Sequence, residues 1–147
     1  MTDIAVSTGR AIDAWRPAWL QLLVAAGLPT DDLDEVDRAW KVGHAAGLIA
    51  AAGVQGQGEH RLLRSLVVGP DYRGTGWGGR LLASIESTLH QDGVRAVWLL
   101  TTGAADYFQH HGYIACSRQE APASIASTQQ FRSLCPASAV LMVKRLG

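Results

Sequence analysis

The sequence predicts an α/β (α+β) fold in a single domain over residues 1–147. Three observations favour this class. Apolar runs of strand length are separated by turn residues, other segments carry apolar residues at helical spacing, and one glycine-rich stretch joins a strand to a helix. With 147 residues, of which 48% are hydrophobic, the chain is long enough to bury a sizeable core.

The first half of the chain is predicted to form a strand, a helix and then a run of strands. "IAVS" is a short strand, and "RPAWLQLLVAAGLP" is a helix because Pro17 suits its first turn and Gly27 suits the residue after its end. "PTDDLDEVDRAW" predicts a short acidic helix with capping residues Thr30 and Asp31. "AWKVGHA", "GLIAAAGVQGQ" and "RLLRSLVV" predict strands joined by turns.

The second half alternates strands with helices before a long loop. "GGRLLASIESTLHQDG" carries an apolar stripe and ends at Gly93, which predicts a helix. "VRAVWLLTT" predicts a strand, "AADYFQHHGY" a short helix that Gly112 stops, and "YIACSR" and "SAVLMVKRL" two closing strands. The segment between those two, "QEAPASIASTQQFRSLCPA", is predicted to be a loop, and loops of this length are often functional.

Charge and composition argue against several classes of protein. Basic and acidic residues number 13 each, so the net charge is zero and a nucleic-acid partner is not expected. No apolar run reaches the length of a membrane span, and the N-terminus does not resemble a signal peptide. Cys116 and Cys135 match no metal-binding spacing and are expected to be free thiols. We therefore expect a cytoplasmic protein that binds no metal and has neither a nucleic-acid nor a membrane partner.

The stretch "SLVVGPDYRGTGWGGRLL" places five glycines in eleven residues between a strand and a helix. A helix N-terminus presents unpaired N–H groups and the positive end of a dipole, glycines let these approach an anion, and Arg73 adds a cation. The stretch therefore predicts a phosphate-binding site. "GTGWGG" also fits the three-glycine dinucleotide pattern, but the next strand, ending "VWLLTT", has no acid for the ribose, and the Lys-Ser/Thr of a P-loop is missing.

The segment "RGTGWG" resembles the pyrophosphate-binding motif of the GNAT family of acyl-CoA-dependent N-acetyltransferases. "AADYFQHHGY" is similar to the fourth helix of that family. Together, "LLRSLVVGPDYRGTGWGGRLL", "WLLTTGAADYFQHHGY" and "IASTQQFRSLCPASAVLMVKRL" resemble the ArsN-type N-acetyltransferases associated with arsenic resistance. The resemblance implies a single mixed, mostly antiparallel sheet flanked by helices, with a central pair of strands that splay apart.

The same resemblance implies that acetyl-CoA binds in the gap between the splayed strands. Its pantetheine arm would pair with the backbone of Leu66, Val67 and Val68, and the Val67 N–H group would stabilise the charge that develops on the thioester oxygen. The pyrophosphate would lie on the backbone N–H groups of Arg73, Gly74, Thr75, Gly76, Trp77 and Gly78.

The resemblance implies direct attack by an amine, but the sequence departs from the family at the proton donor. Many members have a tyrosine four residues before the helix-ending glycine, and here that position holds Phe108. Tyr107 is its neighbour, although a helix turns successive side chains about 100° apart. His111, Cys135 and solvent are alternatives, so neither the general acid nor the general base is assigned.

Arg64 lies in the middle of the strand "LLRSLVV", where an arginine is uncommon unless it is paired. Two interpretations stay open: a fork for a carboxylate or similar anion of the substrate, or an internal ion pair. Arg118 and Phe131 are further candidates for substrate contacts.

The preferred function is acetylation of a small, amino-acid-like amine, with an organoarsenical such as arsinothricin as one candidate. A peptide or protein N-acetyltransferase of the same fold and a non-catalytic acyl-CoA-binding module stay open as alternatives. A homodimer is considered as well.

Overall fold

The computed structural model describes residues 3–44, 46–134 and 138–147. Within these ranges the strands are β1 (Ile4–Thr8), β2 (Arg38–His44), β3 (Gly47–Gln55), β4 (His60–Val68), β5 (Ala96–Thr101), β6 (Ile114–Cys116) and β7 (Val140–Arg145). The α-helices are α1 (Arg10–Asp13), α2 (Arg16–Ala25), α3 (Trp77–Gln91), α4 (Ala105–His110) and α5 (Ala123–Ala126). Among the described residues, no helix is long and apolar enough to cross a membrane.

The strands form one mixed sheet in the order β1-β2-β3-β4-β5-β7-β6. Only the pairing of β4 with β5 is parallel among these neighbours, and every other pair is antiparallel. The predicted mixed, mostly antiparallel sheet is therefore confirmed. The parallel pair is the one whose connection contains the glycine-rich stretch and α3.

The central strands β4 and β5 pair over only three residues each. Their register runs from His60 opposite Ala96 to Leu62 opposite Trp98. Beyond that point β4 continues to Val68 and β5 to Thr101, but the two strands no longer pair with each other. The predicted splay of the central strand pair is thus confirmed.

A β-bulge at Ser65 accompanies the splay. Arg64 pairs with Gly53 and Val67 pairs with Ala51, so β4 contains one more residue than β3 across this stretch. Ser65 has φ 60°, in the left-handed region, and its carbonyl oxygen accepts a hydrogen bond of 3.0 Å from Trp19 Nε1 on α2. Bulges bend a strand and increase its twist, which fits the departure of β4 from β5 here.

Apolar side chains cover the sheet on both faces. The stripe of α3 predicted from the sequence packs on one face, with Leu81, Leu82, Ile85 and Leu89 buried. Helices α1 and α2 bury a second cluster on the other face, and α5 adds a third one beside β5. The core therefore fixes β4 from both sides of the sheet.

Two sequence-based predictions of local structure are wrong. The acidic segment forms only a 3₁₀ turn at Leu33–Glu35, because the preceding Asp32 is left-handed and Val36 is already extended. The predicted loop before β7 contains a 3₁₀ turn at Arg118–Glu120, α5 and a π-helical segment at Gln130–Leu134. A capping box between Ser117 and Glu120 is the local signal that the sequence reading missed.

Candidate functional site

A cavity of about 1430 Å³ opens where β4 and β5 separate. Its strand walls are residues 63–68 of β4 and the end of β5 with the turn that follows, residues 99–104. The start of α3 and most of the glycine-rich loop line another part, and the loop after α2, residues 26–29, lines a third. One cavity therefore joins the predicted cofactor loop to the buried side chain of Arg64, which also lines it.

The backbone N–H groups of β4 that face the gap are those of Leu66 and Val68. In an antiparallel ladder, successive residues alternate between facing the partner strand and facing away from it. Gly69 N donates to Ile49 O of β3 at 2.7 Å, so the backbone N–H groups of Gly69 and Val67 point toward β3. Those of Leu66 and Val68 therefore point toward β5. The predicted contact of the Val67 N–H group with a thioester oxygen does not fit this geometry.

The bulge accounts for this orientation of the Val67 backbone. At the start of β4, Glu59 O accepts a hydrogen bond of 3.1 Å from Ala96 N. The backbone groups of odd-numbered residues therefore point toward β5 there. Uninterrupted alternation would have turned Val67 toward the gap. The additional residue at Ser65 reverses the alternation of backbone directions, so the N–H group of Leu66 points toward the gap instead.

The glycine-rich loop presents an uncapped helix start to the cavity. Helix α3 begins at Trp77, and within the described part of the chain no side chain caps its first N–H groups. Gly74 and Gly76 have φ of 78° and 88°, which other residues rarely adopt. Arg73 folds back over β4, and its Nε donates to Val68 O at 3.3 Å. These features fit an anion at the start of α3.

Gly78 and Gly79 have a different role from Gly74 and Gly76. A Cβ atom on Gly78 would overlap the hydroxyl group of Tyr107, and one on Gly79 would lie 2.8 Å from Cε1 of His111. These two glycines therefore let α4 pack closely against the first turn of α3. Packing already accounts for both of them without a ligand.

Tyr107, which the sequence analysis named only as the neighbour of Phe108, lines the cavity. Its side chain lies between α4 and α3, with its ring centroid 4.7 Å from that of His111. Burial raises the pKa of Tyr107, so its hydroxyl keeps its proton at neutral pH. Phe108 also reaches the cavity but is mostly buried in the core, edge-on to Tyr113. Cys135, the other candidate donor, lies outside the described residues.

Arg64 is held rigidly at the wall of the cavity. Only 3% of the residue is exposed. Its Nη1 donates to Gln55 Oε1 at 2.9 Å, and its Nη2 donates to the backbone oxygen of Asp31 at 2.8 Å. Both acceptors are neutral oxygen atoms, and these two bonds orient the guanidinium group at the cavity wall.

Arg118 and Phe131 lie together, but neither lines this cavity. The Arg118 guanidinium carbon is 5.5 Å from the centre of the Phe131 ring, and Nη2 donates to Ala139 O at 3.1 Å. Phe131 packs against the apolar cluster around α5. The predicted substrate contacts of these two residues do not fit, and their neighbour Gln130 lines the cavity instead.

Comparison with models of protein families matches residues 36–115 to the acetyltransferase (GNAT) domain. The chain belongs to the GNAT acetyltransferase family. The match contains β4, the glycine-rich loop, α3, β5 and α4, which are the elements that surround most of the cavity.

Among characterised relatives of this GNAT domain, the amino-acid acetyltransferase of Ectopseudomonas mendocina is 37% identical over 70 residues. A Pseudomonas putida protein of the same name is 36% identical over a segment of equal length. Each match covers 48% of this chain but only 16% of the relative's length. The similarity therefore concerns one part of a much longer protein.

Solved structures support the same fold. N-acetylglutamate synthase from Neisseria gonorrhoeae, complexed with coenzyme A and N-acetyl-glutamate, superposes with a TM-score of 0.75 and 20% identity, over 100% of this chain and 35% of that chain. A GNAT-family acetyltransferase from Staphylococcus aureus superposes with a TM-score of 0.73 and 14% identity, over 99% of this chain and 100% of that one. At these identities the likeness concerns the fold.

Proposed function

We propose that the protein is an acetyl-CoA-dependent N-acetyltransferase that acts on a small, amino-acid-like amine. The observation that carries this proposal is the single cavity in which the unpaired edge of β4, the start of α3 and Arg64 meet. The names of the relatives add support, because several of them are amino-acid acetyltransferases.

The residues present fit acetyl-CoA. The outward N–H groups of Leu66 and Val68 offer an extended ligand the hydrogen bonds of a missing strand. The uncapped N–H groups at the start of α3, with Arg73 beside them, suit the pyrophosphate. We assign the pyrophosphate contacts to the backbone N–H groups from Arg73 to Gly78, the last two of which belong to the uncapped first turn of α3.

Acetyl-CoA, when bound, supplies the acetyl group as a thioester. The N–H group of Leu66 then takes the role first expected for Val67 and stabilises negative charge on the thioester oxygen. Tyr107 holds a proton that it can donate to the departing thiolate, and the proton that the attacking amine loses passes to solvent water in the open cavity. The remaining contribution of the chain is alignment of the two bound reactants in one cavity.

Arg64 points to an acceptor that carries an anion. A guanidinium fork matches carboxylate, phosphinate and arsinate groups, and the hydrogen bonds to Gln55 and Asp31 hold it at the cavity wall. L-Glutamate, phosphinothricin and arsinothricin all combine an α-amine with such a group. The ArsN-type resemblance favours the organoarsenical, whose free α-amine would be acetylated, because inorganic arsenic offers no amine.

Release of CoA in the presence of these three amino acids and of a peptide with a free N-terminus tests the proposal. We expect acetylation of at least one of the amino acids at a higher kcat/KM than that of the peptide. Preference for the peptide would favour the protein acetyltransferase alternative. Binding of CoA in calorimetry with no acetyl transfer to any amine would favour the non-catalytic alternative.

A further inference from the structure

Gln130 is a buried polar residue that lines the cavity. It begins the π-helical segment at Gln130–Leu134, and only 6% of it is exposed. Its Oε1 atom is buried and, among the described residues, has no hydrogen-bond partner. Buried side-chain oxygens in folded proteins are nearly always hydrogen-bonded, so this atom is a candidate acceptor for a bound ligand.

The position of Gln130 is set by its neighbours. Thr128 Oγ1 donates to Ile125 O at 2.7 Å and accepts from Phe131 N at 3.3 Å, which fixes the backbone on both sides of Gln130. Phe131 packs into the cluster around α5, whereas Gln130 lines the cavity that also contains Arg64. π-Helical turns occur often at functional sites because they redirect one side chain.

We propose that Gln130 Oε1 accepts a hydrogen bond from the amine of the acetyl acceptor. This inference rests on the proposed function and identifies the group that binds the nucleophile. An amide oxygen accepts N–H bonds but is far too weak a base to remove the proton, so Gln130 orients the amine and leaves its lone pair for the thioester carbon. Arg64 and Gln130 then serve the anion and the amine of one amino acid, respectively.

Replacement of Gln130 by methionine tests the contact, because methionine has a similar volume and no strong acceptor. With whichever of L-glutamate, phosphinothricin and arsinothricin the unsubstituted enzyme acetylates best, we expect KM for the amine to rise about twofold to tenfold, the range of one hydrogen bond between neutral groups. KM for acetyl-CoA should stay unchanged. The melting temperature should stay equal or rise, because a buried atom without a partner has been removed.

Two further variants separate binding from structure. Gln130→Glu keeps acceptor oxygens, so its KM for the amine should lie closer to that of the unsubstituted enzyme than the KM of Gln130→Met does. Gln119→Met is the matched control, because Gln119 is exposed and does not line the cavity, and its kinetics should not change.

The outcomes are distinguishable. An unchanged KM for the amine in Gln130→Met overturns the proposal for Gln130, and a lowered melting temperature alongside it would assign the residue a structural role. Equal effects of Met and Glu would also overturn it, because only the acceptor should matter. Failure of the unsubstituted protein to acetylate any of the three amino acids overturns the small-substrate function itself, and this inference with it.

Discussion

Tyr107 on α4 packs against Gly78 in the first turn of α3. The tyrosine hydroxyl fills the space where any other residue at position 78 would place its Cβ atom. This contact keeps the hydroxyl at the cavity wall, next to the residues proposed to bind acetyl-CoA. A proton donor at this place is useful only if it stays protonated, and burial provides that by raising its pKa.

Replacement of Tyr107 by phenylalanine should lower kcat by roughly 10- to 100-fold, at or below the lower end of what general acids contribute, because a CoA thiolate is already a tolerable leaving group. KM for the amine should change little. Steady-state rates between pH 6 and about 9.5 measure this, and the deficit should persist across the range, because a tyrosine with a raised pKa is protonated throughout it. Tyr72→Phe is the matched control, since Tyr72 lines the same cavity with the same 39% exposure. Equal effects of the two variants would contradict the assignment.

The sequence singled out the glycine-rich loop, but all of its glycines were explained in the same way, by close approach to an anion. Gly74 and Gly76 do have left-handed backbones beside the helix start. Gly78 and Gly79 make room for residues about thirty positions further along the chain, Tyr107 and His111. Such a reason is invisible in a sequence, because it depends on which helix packs against which.

At the scale of elements, the bulge in β4 controls what the cavity offers to a ligand. The additional residue at Ser65 turns the N–H groups of Leu66 and Val68 toward the gap. Helix α2 holds this bulge through the hydrogen bond from Trp19 to the Ser65 carbonyl. A helix on one face of the sheet thus determines the direction of backbone groups in its centre.

Trp19→Phe removes that hydrogen bond while keeping most of the apolar contact. We expect a loss of about 1–3 kcal/mol in the free energy of unfolding, from the buried carbonyl left without its donor, and a raised KM for acetyl-CoA. Trp15→Phe is the control, because Trp15 is equally part of the cluster but donates to Ser7 on β1 at 3.2 Å. Urea unfolding and initial rates measure both effects. A similar rise in KM for acetyl-CoA in the two variants would show that the hydrogen bond to the bulge has no specific role in cofactor binding.

The strands and most helices followed from apolar spacing, whereas the orientation of single groups did not. Periodicity located β4 to within one residue of its observed start. It could not reveal an additional residue inside the strand, so the backbone donor was placed at Val67 and not at Leu66. The same limit applies at Gln130, because the segment that contains it has no helical periodicity and reads as a loop.

At the scale of the whole molecule, one polar cluster ties together the elements behind the cavity. Glu86 on α3 accepts hydrogen bonds from Tyr113 Oη at 2.9 Å and from Lys144 Nζ at 2.7 Å. Lys144 on β7 also donates to His111 O at 2.9 Å, at the end of α4. Burial first, and then the Glu86 carboxylate, raise the pKa of Tyr113, so it remains a donor.

Glu86→Ala should lower the free energy of unfolding by about 1–3 kcal/mol, because it leaves two donors without their acceptor in a mostly buried place. Urea unfolding measures the loss. Glu59→Ala is the matched control, since the Glu59–Arg95 ion pair is well exposed and should contribute little. An equal loss in both variants would show that the cluster adds nothing beyond a surface charge pair.

The family could be predicted because one continuous segment, residues 65–82, carries its motif, and the same segment contains most of the proposed cofactor contacts. The opposite part of the cavity could not, because its walls come from the loop after α2, from β4 and from the π-helical segment. Arg64 was recognised only because an arginine in an apolar strand is unusual. The cytoplasmic location and the homodimer considered from the sequence stay predictions.

The separation of β4 from β5 gives the sheet a third edge in its interior. Unlike the outer edges at β1 and β6, this one is enclosed by helices on both faces. At roughly 3.3 Å per residue, the part of β4 that does not pair with β5 is about 20 Å long. The gap between the two strands ends where Leu62 pairs with Trp98. An exposed edge invites pairing with another chain. An edge enclosed in this way admits a slender extended molecule and excludes a second sheet, so the protein can leave these backbone groups unpaired without the risk of aggregation.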